Sequence, residues 1–83
     1  MENEILKKKA KNIISIVWSK MYPDVDPEIK IEYKPGRSGG GKYWTHLTRE
    51  ALVEFSYEQL RDHTDKNLER NARDQIQSSI SNS

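Results

Sequence analysis

The chain has no cysteine, which removes disulfide staples and thiolate metal sites from consideration. Proline and glycine are scarce, at three and four residues, and they are confined. Pro23, Pro27 and Pro35 lead into a stretch, Gly36 to Gly41, that holds every glycine. Breakers therefore sit only in the middle of the chain, and both flanks are free to run as helix. Long apolar runs are missing too. The longest, Ile13-Ile14 and Ile16-Val17-Trp18, is interrupted at Ser15 and falls far short of a membrane span. The opening Met1-Glu2-Asn3-Glu4 is acidic and lacks the apolar block of a signal peptide, so a cytoplasmic location is expected.

Apolar residues are themselves sparse, at 34% against 33% charged, in a chain of 83 residues. A single domain spanning 1–83 is expected, with a core small enough that a partner subunit would complete it. Net charge is +1 and says little, but its distribution is uneven. Residues 1–49 hold ten Lys/Arg against six Asp/Glu, giving +4, and residues 50–83 hold four against seven, giving −3. Such a dipolar molecule steers a polyanion to one end, or pairs head-to-tail with its own copy.

What is present falls into patterned segments. Leu6, Ala10, Ile13, Ile14, Val17, Trp18 and Met21 recur at threes and fours, which predicts a helix over 3–21 with Asn3 as N-cap. Ile29-Lys30-Ile31-Glu32-Tyr33-Lys34 alternates strictly and reads as a half-buried strand. Lys42-Tyr43-Trp44-Thr45-His46-Leu47 is its antiparallel mate, with Tyr43, Thr45 and Leu47 on one face and Lys42, Trp44 and His46 on the other. Together they predict a β-hairpin over 29–47 with a glycine-rich tip at 35–41. From Thr48 the period changes. Leu52, Phe55, Leu60, Leu68, Ala72, Ile76 and Ile80 mark a helix face over 48–79, with a frayed tail at 80–83. Ser56-Tyr57-Glu58-Gln59 matches a capping box, which would divide this stretch into helices of about 48–55 and 57–79, but one long helix is favoured because no glycine or proline interrupts it. The expected fold is α+β, helix–β-hairpin–long helix in the order α-β-β-α. It is expected to dimerise through Leu60, Leu68, Ala72, Ile76 and Ile80 of the long helix.

Three constellations bear on chemistry. Gly36 to Lys42 has the G-x-x-x-x-G-K spacing in which glycine amides cradle a phosphate and the lysine reaches its terminal oxygens. The next position, which should offer a magnesium-binding hydroxyl, is Tyr43, and the following pattern is strand rather than helix, so nucleotide hydrolysis is not indicated. Asp24, Asp26 and Glu28 lack the central glycine and closing glutamate of a calcium loop. His46, Glu50, Glu54, Glu58 and Asp62 recur every four residues, but without the Glu-x-x-His spacing of a bundle metal site, so they read as an acidic helical ridge. His63, between Asp62 and Asp65, reads as a surface histidine. No metal, no cofactor and no catalytic residue is expected.

The remaining reading is binding. Lys34, Arg37, Lys42 and Arg49 around the hairpin tip, with Lys7, Lys8 and Lys11 of the first helix, would neutralise phosphates. Tyr43 and Trp44 would stack on bases. These residues predict a small non-enzymatic nucleic-acid-binding regulatory protein, acting as a homodimer. The alternative is a protein-interaction module of the small inhibitor or adaptor kind, working through Glu50, Glu54, Glu58 and Asp62 or through the aromatic hairpin.

Overall fold

The computed structural model describes residues 2–24, 28–36, 40–47 and 51–81, without the side chains of residues 2, 3, 80 and 81. Arg37, Arg49, Glu50 and the side chain of Ile80 thus lie outside the described residues. Six elements follow in order: α1 (Glu2–Met21), β1 (Glu32–Lys34), β2 (Lys42–His46), β3 (Leu52–Ser56), α2 (Tyr57–Asp62) and α3 (Asp65–Ser81). The class is mixed α+β, as expected. Among the described residues no helix is long and apolar enough to cross a membrane.

The first helix and the hairpin follow the sequence pattern, except that α1 already includes Glu2, so Asn3 lies within the helix and is not its N-cap. Ile29 is buried, Ile31 and Tyr33 are half-buried, and the charges between them are exposed, although only Glu32–Lys34 is paired in a ladder. Tyr43 and Thr45 point inward and Lys42 and His46 outward, with Trp44 half-exposed among them. The sheet order is β1-β2-β3, antiparallel throughout.

The expected helix over 48–79 is the main correction. Its first part is a third strand, in which Val53 and Phe55 are buried and Leu52 and Glu54 are exposed. Leu52 and Phe55 are three apart, which suits a helix, but Val53 and Phe55 are two apart, which suits a strand. Five residues do not separate the two periods. Pairing separates them: β2 needs a second neighbour, because a two-stranded hairpin alone is barely stable in water. Register is continuous from Lys42 opposite Ser56 to His46 opposite Leu52, and the Leu47 amide donates to the Ala51 carbonyl at 2.9 Å beyond the strands.

The favoured single long helix is not formed: the chain breaks at position 56, where the capping box lies. Ser56 Oγ accepts from the Gln59 amide at 3.1 Å while Gln59 Oε1 accepts from the Ser56 amide at 2.9 Å, so two otherwise orphaned N–H groups are satisfied at the start of α2. A second break follows at His63, whose backbone is extended. Thr64 restarts the helix by accepting from the Asn67 amide at 3.2 Å.

One core joins the layers. Leu6, Ala10, Ile13, Ile14, Val17 and Trp18 of α1 meet Tyr43, Val53 and Phe55 on the inner face of the sheet, with Leu60 of α2 and Leu68, Ala72 and Ile76 of α3. Leu60, Leu68, Ala72 and Ile76 are each 0% exposed within the protomer. This corrects their expected role in dimerisation: the apolar face of the C-terminal helices is consumed by α1 and the sheet of the same chain. Lys9 Nζ donates to the Leu60 carbonyl at 2.7 Å, placing a cation at the last turn of α2 where the helix dipole favours it.

Candidate nucleic-acid interface

The helices cover one face of the sheet and leave the other open. Because side chains alternate along a strand, the open face carries Glu32 and Lys34 from β1, Lys42, Trp44 and His46 from β2, and Leu52 and Glu54 from β3. Lys34, Lys42, Trp44, His46, Leu52 and Glu54 line a shallow depression of about 360 Å³ there.

Register sets the neighbours within it. Lys34 stands directly opposite Lys42, and Glu32 opposite Trp44. Like charges opposite one another in a sheet are destabilising. Among the described residues neither lysine has a carboxylate within ion-pair distance. Trp44 and His46, two apart on the central strand, meet edge to face at 5.4 Å between ring centroids and 84° between planes. On the other side Trp44 faces Glu54. Both backbone groups of Glu54 turn away from β2: its amide donates to Gln75 Oε1 and its carbonyl accepts from Gln75 Nε2, each at 2.8 Å. Trp44 and Glu54 are thus a non-hydrogen-bonded pair, the kind whose side chains lie closer together.

The base of the glycine-rich tip is built tightly. Gly41 has a φ of 117°, and a Cβ there would lie 2.7 Å from the Lys34 carbonyl oxygen and 2.8 Å from Tyr33 Cε1. Only glycine meets both conditions at low cost. Tyr33 donates its hydroxyl to the Gly40 carbonyl at 3.1 Å, and the Glu58 carboxylate lies against Gly40, where a Cβ would come within 2.9 Å of Oε1. Lys42 follows immediately as the first residue of a strand, so this lysine lacks the helix that follows a phosphate loop.

The structure gathers Lys34, Lys42 and Trp44 and separates the other expected residues. Tyr43 is 1% exposed, its ring tilted at 43° against Tyr33 with centroids 4.9 Å apart, and has no base-stacking surface. That is the second correction, and its cause is alternation: neighbours on a strand face opposite ways. Lys7, Lys8 and Lys11 belong to α1, in the layer behind the sheet. Arg37 and Arg49 lie outside the described residues.

The described acidic residues do not share one helix. Glu54 is on β3, Glu58 opens α2 beside Gly40, and Asp62 closes α2 in a two-point ion pair with Arg61, 2.9 Å at each contact. The four-residue repeat presupposed a helix that begins only at Tyr57. The Arg61 hydrogen bond holds the Asp62 carboxyl below its ordinary value, and Asp62 in turn pushes the guanidinium up.

Sequence reasoning placed His46 on the face of Lys42 and Trp44 but missed Leu52, which it assigned to a helix. It also missed a basic line on α3, Lys66, Arg70 and Arg73, whose four-then-three spacing was readable once a helix had been assigned there. Comparison with protein-family models, curated proteins and solved structures finds no match, so function is argued from this chain's own residues.

Proposed function

We propose that the chain is a small non-enzymatic nucleic-acid-binding regulatory protein that takes a single strand across the open face of its sheet, with the glycine-rich tip at one end of the track. The observation that carries this reading is the register of Lys34 opposite Lys42 beside a half-exposed Trp44. Two cations held across from each other, neither with a carboxylate within ion-pair distance among the described residues, are relieved by an anion between them, and a phosphate supplies one. Trp44 offers an aromatic surface for a base, in the manner of sheet platforms that combine stacking with phosphate contacts. A single strand fits better than a duplex, because stacking needs an unpaired base. Arg37 and Arg49, which precede and follow β2 in the sequence, are the further cations of this proposal.

The test is titration of the full chain with a fluorescein-labelled oligothymidylate and with a duplex of equal length, at several salt concentrations. Each phosphate contact on a single strand contributes about −0.7 to the slope of log K against log salt. Lys34→Ala with Lys42→Ala is expected to flatten that slope by about 1.4. Trp44→Ala is expected to cost about 1–3 kcal/mol of binding with little change in slope. Trp18 is only 5% exposed, so quenching of intrinsic fluorescence on binding is expected to come from Trp44 and to vanish in Trp44→Phe. Binding that ignores salt and all three changes refutes the reading.

The protein-interaction alternative loses the helical repeat that suggested an acidic ridge, since Glu54 lies on β3 and Glu58 on α2.

A further inference from the structure

Behind the sheet, where the end of α1 passes α3, lies a groove of about 690 Å³. Val17, Met21 and Tyr22 form its apolar floor, and Lys66, Arg70 and Arg73 stand along one side. We infer that this groove is a docking site for an acidic amphipathic helix of a protein partner. The inference does not depend on the sheet's binding nucleic acid.

Charge comes first. Lys66, Arg70 and Arg73 are exposed, and among the described residues none has a carboxylate within 4 Å, although Asp74 lies one turn beyond Arg70. Of the two carboxylates in the groove, Glu69 is already engaged, by Lys20 across the gap at 3.5 Å. The cations thus outnumber the carboxylates and most are unspent.

Spacing comes second. Positions 66, 70 and 73 recur at four and three, so they form a line on one side of α3 that spans about 10.5 Å along its axis. A partner helix laid alongside repeats its own side chains at the same pitch. Carboxylates at i, i+4 and i+7 on it meet the three cations in register. Its apolar residues on the adjoining stripe then rest on Val17, Met21 and Tyr22, the usual division of labour when an amphipathic helix enters a groove.

The floor and the two carboxylates choose between polyanions. A phosphate backbone has no apolar side to place on Met21 and Val17 and no donor to offer Asp74. An amphipathic peptide helix has that apolar side.

The probe is a fluorescein-labelled synthetic helix with leucines on one face and glutamates on the other, alongside a twin carrying lysine in place of each glutamate. Anisotropy of the full chain is expected to show binding of the acidic peptide and none of the twin. Arg70→Glu with Arg73→Glu is expected to weaken it about tenfold, since exposed ion pairs are individually weak but two are turned here to repulsion. Arg70→Lys with Arg73→Lys is expected to retain binding, and Lys34→Glu with Lys42→Glu to leave it unchanged. Amide resonances of Val17, Met21 and Tyr22 are expected to shift on titration. Equal binding of the two peptides, indifference to the Arg70/Arg73 reversal, or shifts confined to other residues overturns the inference. So does an oligothymidylate that moves those same resonances, which gives the groove to nucleic acid.

Discussion

Gly41 is the position where one missing carbon matters most. Its φ of 117° disfavours any L side chain, and a Cβ would strike the Lys34 carbonyl oxygen and the Tyr33 ring at once. Gly41→Ala is therefore expected to lower stability by about 1–3 kcal/mol in urea denaturation, without repacking elsewhere to relieve it. Asp62 is a quieter case. Its carboxyl is held low by Arg61, so the pair's contribution is complete above the ordinary carboxylate pKa and is lost as pH falls through the depressed value. The pair is fully exposed, so the global effect is small. Arg61→Ala is expected to return the Asp62 carboxyl to its ordinary range, read by carbon-detected NMR titration. Trp18 shows the opposite imbalance: its ring is buried against Tyr22 at 4.6 Å, yet its indole N–H has no partner among the described residues. Such a donor is costly to bury and is retained here with the large apolar contact of the ring.

Among the elements, α2 is the joint. Six residues are too few to hold as an isolated helix, so its ends are held by others. Ser56 and Gln59 fix the first turn, Lys9 reaches the Leu60 carbonyl in the last, and Leu60 anchors the middle in the core. Ser56→Ala is expected to cost about 1 kcal/mol in chemical denaturation and to weaken amide protection first at the β3–α2 junction, measured by hydrogen exchange. At the other margin of β3, Gln75 of α3 matches both backbone groups of Glu54 as a neighbouring strand would. This blunts an edge that otherwise invites pairing with another chain. Its side-chain amide also donates to Asn71 Oδ1, so the blocking group is itself held in place.

For the whole molecule the question is whether one copy suffices. The Cα radius of gyration is 12.3 Å, against about 12 Å for a compact chain of this length. Of the residues expected to form a dimer seam, Leu60, Leu68, Ala72 and Ile76 are at the centre of the protomer instead. Sedimentation is accordingly expected to give a mass near 9.7 kDa. Leu68→Ala, a 0% exposed site in the core, is expected to lower stability by about 2–5 kcal/mol while leaving that mass unchanged for the folded fraction. A seam residue would instead shift the mass and spare the protomer. Ile5 and Ile16, exposed at 67% and 44%, are the apolar residues of α1 that the core does not use.

By itself the sequence determined what depends on near neighbours. The stripe from Leu6 to Met21 and the alternation of 42–47 are local patterns that produced the elements they announced, the alternation of 29–34 did so over Glu32–Lys34, and the capping box at Ser56 opens α2. Tertiary structure decided what depends on a partner far along the chain. Leu52–Ser56 satisfied two periods at once, and only β2 beside it selected the strand. The identity of the inner sheet face, and with it the burial of Tyr43 and the exposure of Trp44, awaited the helices that cover one side. The same covering turned Leu60, Leu68, Ala72 and Ile76 from a seam into a core. An apolar stripe declares that it will be buried, and geometry alone supplies what buries it.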